Sequence, residues 1–134
     1  MTLRRTLALA VALVALLSTG TVAAADTAAD GRQPLPGALQ LMIVADYQIA
    51  DTTTLTCDPA GGNHPNAGAA CAELARVSGN LDRLRPDGQV LCTMEFRPVT
   101  ATAHGAWRGR LTTWQRTFSN PCLLYASTGS VFQF

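Results

Sequence analysis

The chain has no lysine, and only two histidines and two glutamates occur among its 134 residues. Charged residues make up 14% of it. There is no basic surplus to neutralise a phosphate backbone, so nucleic acid is excluded as a partner. The absence of lysine reads as a codon-composition bias rather than chemistry. No C-x-x-C pair occurs, and His64 and His104 lack zinc-ligand spacing, so neither a metal nor another cofactor is expected. There is also no G-x-S-x-G motif and no phosphate-binding loop. The residue types that could catalyse are scattered through turns, and no enzyme site emerges.

Long apolar runs are missing too. The longest, residues 7–17 (LALAVALVALL), is shorter than the roughly 20 residues a membrane span needs. Arg4 and Arg5 precede it and small residues at 21–25 (TVAAA) follow, the three-part pattern of a secretory signal peptide. Residues 1–25 are therefore expected to be removed after Ala25, giving a secreted protein with no membrane attachment. About 109 residues remain, enough for one domain with one core. They carry eight arginines against nine carboxylates, a formal charge of −1, so the whole-chain value of +1 misleads.

What is present is a set of four cysteines, Cys57, Cys71, Cys92 and Cys122, all beyond the expected cleavage point. An even count in an oxidising compartment implies two disulfides, with three connectivities open. Sequential pairing closes the shortest loops. A domain of this size buries only roughly 60–68% of its extended-chain surface, so such bracing is useful.

Residues 26–37 (DTAADGRQPLPG) have no periodicity and read as a flexible arm ahead of a domain at 38–134. Residues 39–47 and 52–57 read as strands, and 58–68 (DPAGGNHPNAG) as turn chemistry. His64 in that loop reads as satisfied or solvated, since no nucleophile accompanies it. Residues 69–78 (AACAELARVS) are the one convincing helix, with Ala70, Leu74 and Val77 on its apolar face, Glu73 and Arg76 pointing to water, and Gly79 as its stop. A short helical turn at 81–85 and a turn at 86–88 follow. Strands are expected at 89–92 and 98–104, with Gly105 turning the chain into a long return strand at 106–118 and a last strand at 130–134 (SVFQF). In the return strand Trp107, Gly109, Leu111 and Thr113 would share one face. The sum is an α+β domain, about five mostly antiparallel strands with one main helix packed on one face.

One segment fits neither strand nor helix well. In residues 91–98 (LCTMEFRP) a cysteine anchors one end, a proline stiffens the other, and the unbranched apolar Met94 lies between them. Around it run Thr54-Leu55-Thr56-Cys57, His64-Pro65, Ala70-Cys71-Ala72-Glu73-Leu74, Cys92-Thr93-Met94-Glu95-Phe96-Arg97-Pro98-Val99, Gly105-Ala106-Trp107-Arg108-Gly109, Phe118-Ser119-Asn120-Pro121-Cys122 and Gly129-Ser130-Val131-Phe132. In order and spacing this series, about 80 residues, closely resembles the Streptomyces subtilisin inhibitor family of secreted bacterial serine-protease inhibitors.

The resemblance implies disulfides Cys57–Cys71 and Cys92–Cys122 and a reactive bond Met94–Glu95. Met94 would enter the primary specificity pocket of a subtilisin-like serine protease and Leu91 a second apolar pocket. Cys92, Thr93, Phe96 and Arg97 would complete the contacting loop, with Asn120 and Pro98 supporting it. Family members pair as homodimers through their sheets, so a homodimer is implied here. Glu95 departs from the small apolar residue expected after the scissile bond, which leaves open a chymotrypsin-like or metalloprotease target on the same fold. A secreted structural or adhesion module without a protease partner is the reading from a different class.

Overall fold

The first strand alternates as its sequence requires. In β1 (Gly37–Ala45) Leu39, Leu41 and Ile43 are buried while Ala38 and Gln40 face out. The computed structural model describes residues 36–85, 88 and 90–134. The signal peptide at 1–25 and nearly all of the arm at 26–37 lie outside the described residues, as do Pro86, Asp87 and Gln89.

A two-residue turn at Asp46 and Tyr47 leads into β2 (Gln48–Cys57), paired antiparallel with β1. The two-residue β3 (Gly61–Gly62) edges β2 within the loop expected to be pure turn. After α1 (Ala67–Arg76) and a 3-10 turn at Leu81–Arg83 comes the loop, then β4 (Val99–Trp107) and β5 (Arg110–Phe118). The sheet order is β3-β2-β1-β4-β5, antiparallel throughout. The chain ends with α2 (Pro121–Thr128) and a 3-10 turn at Gly129–Phe132. Helices and C-terminal turn cover one sheet face, enclosing Leu41, Leu55, Leu74, Leu124, Val131 and the fully buried Phe132. Disulfides join Cys57 to Cys71 and Cys92 to Cys122.

Several expectations are corrected. Residues 90–92 form no strand: they run past the end of the sheet and are held by a disulfide instead of a ladder. Gly105 does not turn the chain. β4 passes through it at φ +144°, where an added Cβ would sit 2.0 Å from the Ala38 carbonyl oxygen, so glycine is needed for strand approach. The reversal comes at Arg108 and Gly109, both at positive φ, a two-residue hairpin. Trp107 therefore faces the core from β4, while Leu111 and Thr113 face outward from β5 and Trp114 and Phe118 inward. Residues 130–134 are not a strand: Gly129–Phe132 wind into the 3-10 turn, whose curvature lets Val131 and Phe132 both reach the core. Glu73 is not a solvated residue: its carboxylate accepts from the Ser130 backbone N–H at 2.9 Å and from the Ser130 hydroxyl at 3.3 Å, tying α1 to the C-terminal turn. Arg76 beside it is exposed.

His64 is buried and fully used. Its Nδ1 accepts from the Asn66 N–H at 3.0 Å, so the proton sits on Nε2, which donates to the Val131 carbonyl at 3.2 Å. Helix α1 ends by the Ser78 N–H bonding the Ala75 carbonyl and the Gly79 N–H the Leu74 carbonyl, with both residues at positive φ. An added Cβ at Gly79 would lie 2.3 Å from the Trp107 ring. Gly79→Ala combines left-handed strain with overpacking against a buried indole, and is expected to cost about 2–4 kcal/mol. Urea unfolding checks this, and a loss below about 1 kcal/mol would mean that Trp107 moves aside freely.

Candidate functional site

Between the 3-10 turn at Leu81–Arg83 and β4 the chain leaves the sheet. Residues 90–98 have no regular structure and, apart from half-buried Cys92, are all exposed. Leu91 is 94% exposed, Met94 98% and Phe96 76%, the side chains a soluble domain would ordinarily bury. A free peptide of this length would sample many conformations, so a single backbone shape needs restraints from outside the segment.

Three restraints hold it. Cys92 is bridged to Cys122 in the first turn of α2, closing a loop of 30 residues, worth about 3–4 kcal/mol in the chain-entropy model. The Arg97 N–H donates to the Ser119 carbonyl at 2.8 Å, one backbone bond beyond the β4–β5 ladder. Between these two lies Asn120, which is only 3% exposed. Its Nδ2 donates to the Thr93 carbonyl at 3.2 Å and to the Glu95 carbonyl at 2.9 Å. Its Oδ1 accepts from the Leu123 N–H at 2.9 Å and so caps α2. The two carbonyls require the amide nitrogen and the N–H requires the oxygen, so one orientation of the carboxamide satisfies all three.

Local sequence explains why Asn120 sits there. Pro121 occupies the first turn of α2, where its fixed φ suits the helix and its missing N–H costs nothing. Asn120 just before it is extended, at φ −161°, as a capping residue should be. The Asn-Pro pair is thus the start signal of a helix that was not among the expected elements. Ser119 and Leu123 also escaped the sequence reading. Ser119 supplies the acceptor for Arg97, and Leu123 joins Asn120 in lining a hollow of about 190 Å³ behind the loop.

The candidate residues Leu91, Cys92, Thr93, Met94, Glu95, Phe96, Arg97 and Pro98 thus form one continuous exposed segment, and Asn120 lies directly behind its centre. Pro98 is exposed at the entry to β4. The Glu95 carboxylate leans toward the Arg97 guanidinium at 3.9 Å, both partners well exposed. Among the described residues no group of three potential metal ligands occurs, and no helix is long and apolar enough to cross a membrane.

The family model for subtilisin inhibitor-like domains matches residues 35–120. The chain belongs to the subtilisin inhibitor-like family. It is 46% identical over 105 residues to subtilisin inhibitor-like protein 2 of Streptomyces rochei, covering 74% of this chain and 93% of that protein. It is 39% identical over 140 residues to the subtilisin inhibitor of Streptomyces violaceus, covering 95% of each. In three dimensions it is similar to Streptomyces caespitosus sermetstatin, solved in complex with Bacillus licheniformis subtilisin. The TM-score there is 0.65 at 37% identity, over 74% of this chain and 99% of the other. The family match ends at Asn120, so in this subtilisin inhibitor-like chain the capping residue closes the matched region while the helix it caps lies beyond it.

Asn120→Ala removes a helix cap and both loop bonds, leaving the Thr93 and Glu95 carbonyls to water. The expected stability loss is about 1–2 kcal/mol. Amide exchange at Arg97 and Leu123 should accelerate while the centre of β1 stays protected. Unchanged exchange at both would show that the disulfide and the Arg97–Ser119 bond suffice to fix the loop.

Proposed function

We propose that this chain is a secreted, substrate-like inhibitor of subtilisin-type serine endopeptidases, with Met94–Glu95 as the reactive bond. The observation that carries the reading is the Asn120 amide, which bonds the carbonyls on both sides of that bond while the Met94 side chain projects fully into solvent. The relatives named as subtilisin inhibitors, and the subtilisin complex of the structural neighbour, support the choice of protease class. Two disulfides fit an oxidising, extracellular setting, as does the signal-peptide pattern at 1–25.

The mechanism follows from the restraints. A serine protease binds an extended segment as an added strand, with individual side chains entering pockets. Met94 and Leu91, three residues apart and both apolar, suit the apolar pockets of a subtilisin and suit trypsin badly. A loop already held in the bound shape loses little entropy on docking, so more of the contact energy appears as affinity. After attack, the Thr93–Met94 side stays tethered by Cys92–Cys122 and by the bond from Asn120 to the Thr93 carbonyl. The new amine at Glu95 stays tethered by the same carboxamide and by the Arg97–Ser119 bond. Amine and acyl carbon therefore remain at very high effective concentration, and religation competes with hydrolysis.

The open sheet face favours pairing with a second copy. Met42 and Val44 are only half-buried there and Leu111 is exposed. A sheet-to-sheet homodimer would cover these groups.

Titration of mature protein into subtilisin should abolish activity at one inhibitor per enzyme, with intact mass showing a single nick between Met94 and Glu95. No inhibition of subtilisin, or a nick elsewhere, would sink the reading. Met94→Lys should move inhibition toward trypsin by at least about tenfold. In a second test, replacing Cys92 and Cys122 together by Ser should yield a slowly consumed substrate. Inhibition as durable as wild type in that variant would refute the pinned-loop mechanism.

A further inference from the structure

The turn between β1 and β2 places its two residues in the left-handed region, Asp46 at φ +50° and Tyr47 at φ +60°. Asn and Gly fill such two-residue turns at least cost, and a bulky aromatic is a poor choice on backbone grounds alone. Nothing inside the fold compensates, because the Tyr47 side chain is fully exposed at 102%. Ile49 follows at 66% exposure. Asp46 has no ion-pair partner among the described residues.

The position of this tip gives it a use. Val44, Asp46 and Tyr47 share a groove of about 240 Å³ with Pro98, Thr100 and Thr117. A smaller adjoining hollow has Ala45 and Asp46 on one wall and Arg97 and Pro98 on the other. The tip therefore abuts the stem of the exposed loop on the side that follows the Met94–Glu95 bond. A protease seated on that bond must pass its leaving-group side along Phe96, Arg97 and Pro98, and so across the tip.

We propose that Asp46 and Tyr47 form a second protease-contacting element, which engages the rim of the enzyme on the leaving-group side of its cleft. The inference rests on the reading of Met94–Glu95 as the reactive bond. The rim it fits is an apolar surface with a cationic group, the aromatic ring lying on the former and the Asp46 carboxylate meeting the latter. Tyrosine suits this role, since it offers large, rigid contact area and loses little side-chain entropy. Contact at the tip adds to affinity without touching the specificity pocket, and it distinguishes proteases by their rims rather than by their preference for Met94.

Tyr47→Asn tests this, because asparagine keeps the turn geometry while removing the ring. Inhibition constants and dissociation rates against subtilisin are measured for wild type, Tyr47→Asn and Asp46→Asn, with light scattering on each free protein. The expected result is dissociation about tenfold faster for Tyr47→Asn, with the association rate, the nick position and the oligomeric state unchanged. Wild-type inhibition matched by Tyr47→Asn would overturn this inference and leave the reactive-loop reading standing. Failure of the wild type itself to inhibit would remove both. A loss of inhibition that tracks a change in oligomeric state would also overturn it, assigning Tyr47 to contact between copies.

Discussion

One carboxamide joins the two halves of this molecule that matter. Asn120 is buried, and burying an amide is costly unless each polar atom finds a partner. Here the oxygen finds the N–H of Leu123 and the nitrogen finds the carbonyls of Thr93 and Glu95. The cap and the clamp are therefore one interaction seen from two sides. Helix α2 cannot shift without disturbing the loop, and the loop cannot relax without uncapping α2. No other side chain of similar size fits. Aspartate would set a charged oxygen against a carbonyl, and serine has one donor where two are used.

The rest of the fold serves to fix where that carboxamide sits. β5 delivers Ser119 and Asn120 directly after Phe118, which is buried in the core. β4 begins at Val99, also buried, one residue after the loop ends. Val99 and Phe118 are paired across the ladder, so loop and clamp leave the sheet from the same rung. The C-terminal turn locks the opposite side, through Glu73 to Ser130 and through His64 to Val131. The Cys57–Cys71 bridge, closing a span of 14 residues, ties β2 to α1 beneath that turn.

Much of this was legible in the sequence, and the failures have specific causes. Apolar and β-branched composition located β1 and the second half of β2, the apolar spacing of Ala70 and Leu74 located α1, and alternation located the start of β4, where one face is buried and the other wet. It failed for residues 130–134, where apolar residues next to polar ones mimic a strand although Val131 and Phe132 are both enclosed. It failed at Gly105, where glycine serves close packing against Ala38 rather than a turn. Glu73 was misread because the helix surface it occupies is covered by a segment 57 positions further along the chain, a proximity that no local pattern carries. The exposed loop was found from its composition and its cysteine. Asn120 was expected behind the loop from the family resemblance, but the helix it caps was not, because residues 121–128 carry no amphipathic periodicity to mark one.

Exposure of apolar groups is the remaining constraint, and it sets the thermodynamic logic of the loop. Burying a side chain the size of Leu91, Met94 or Phe96 is worth about 1.5–3 kcal/mol. The folded chain leaves all three unburied, and neither the disulfide nor the clamp touches them: both restraints act on the backbone. The domain has thus separated the two tasks that most segments combine, since backbone order comes from Asn120 and Cys92 while the side chains keep their full transfer free energy. A flexible peptide with the same side chains would offer the same apolar surface but lose much of its gain in ordering the chain. The same separation would hold through the proposed cut at Met94–Glu95, since the bond lies between two anchored carbonyls and each half would stay attached to the core.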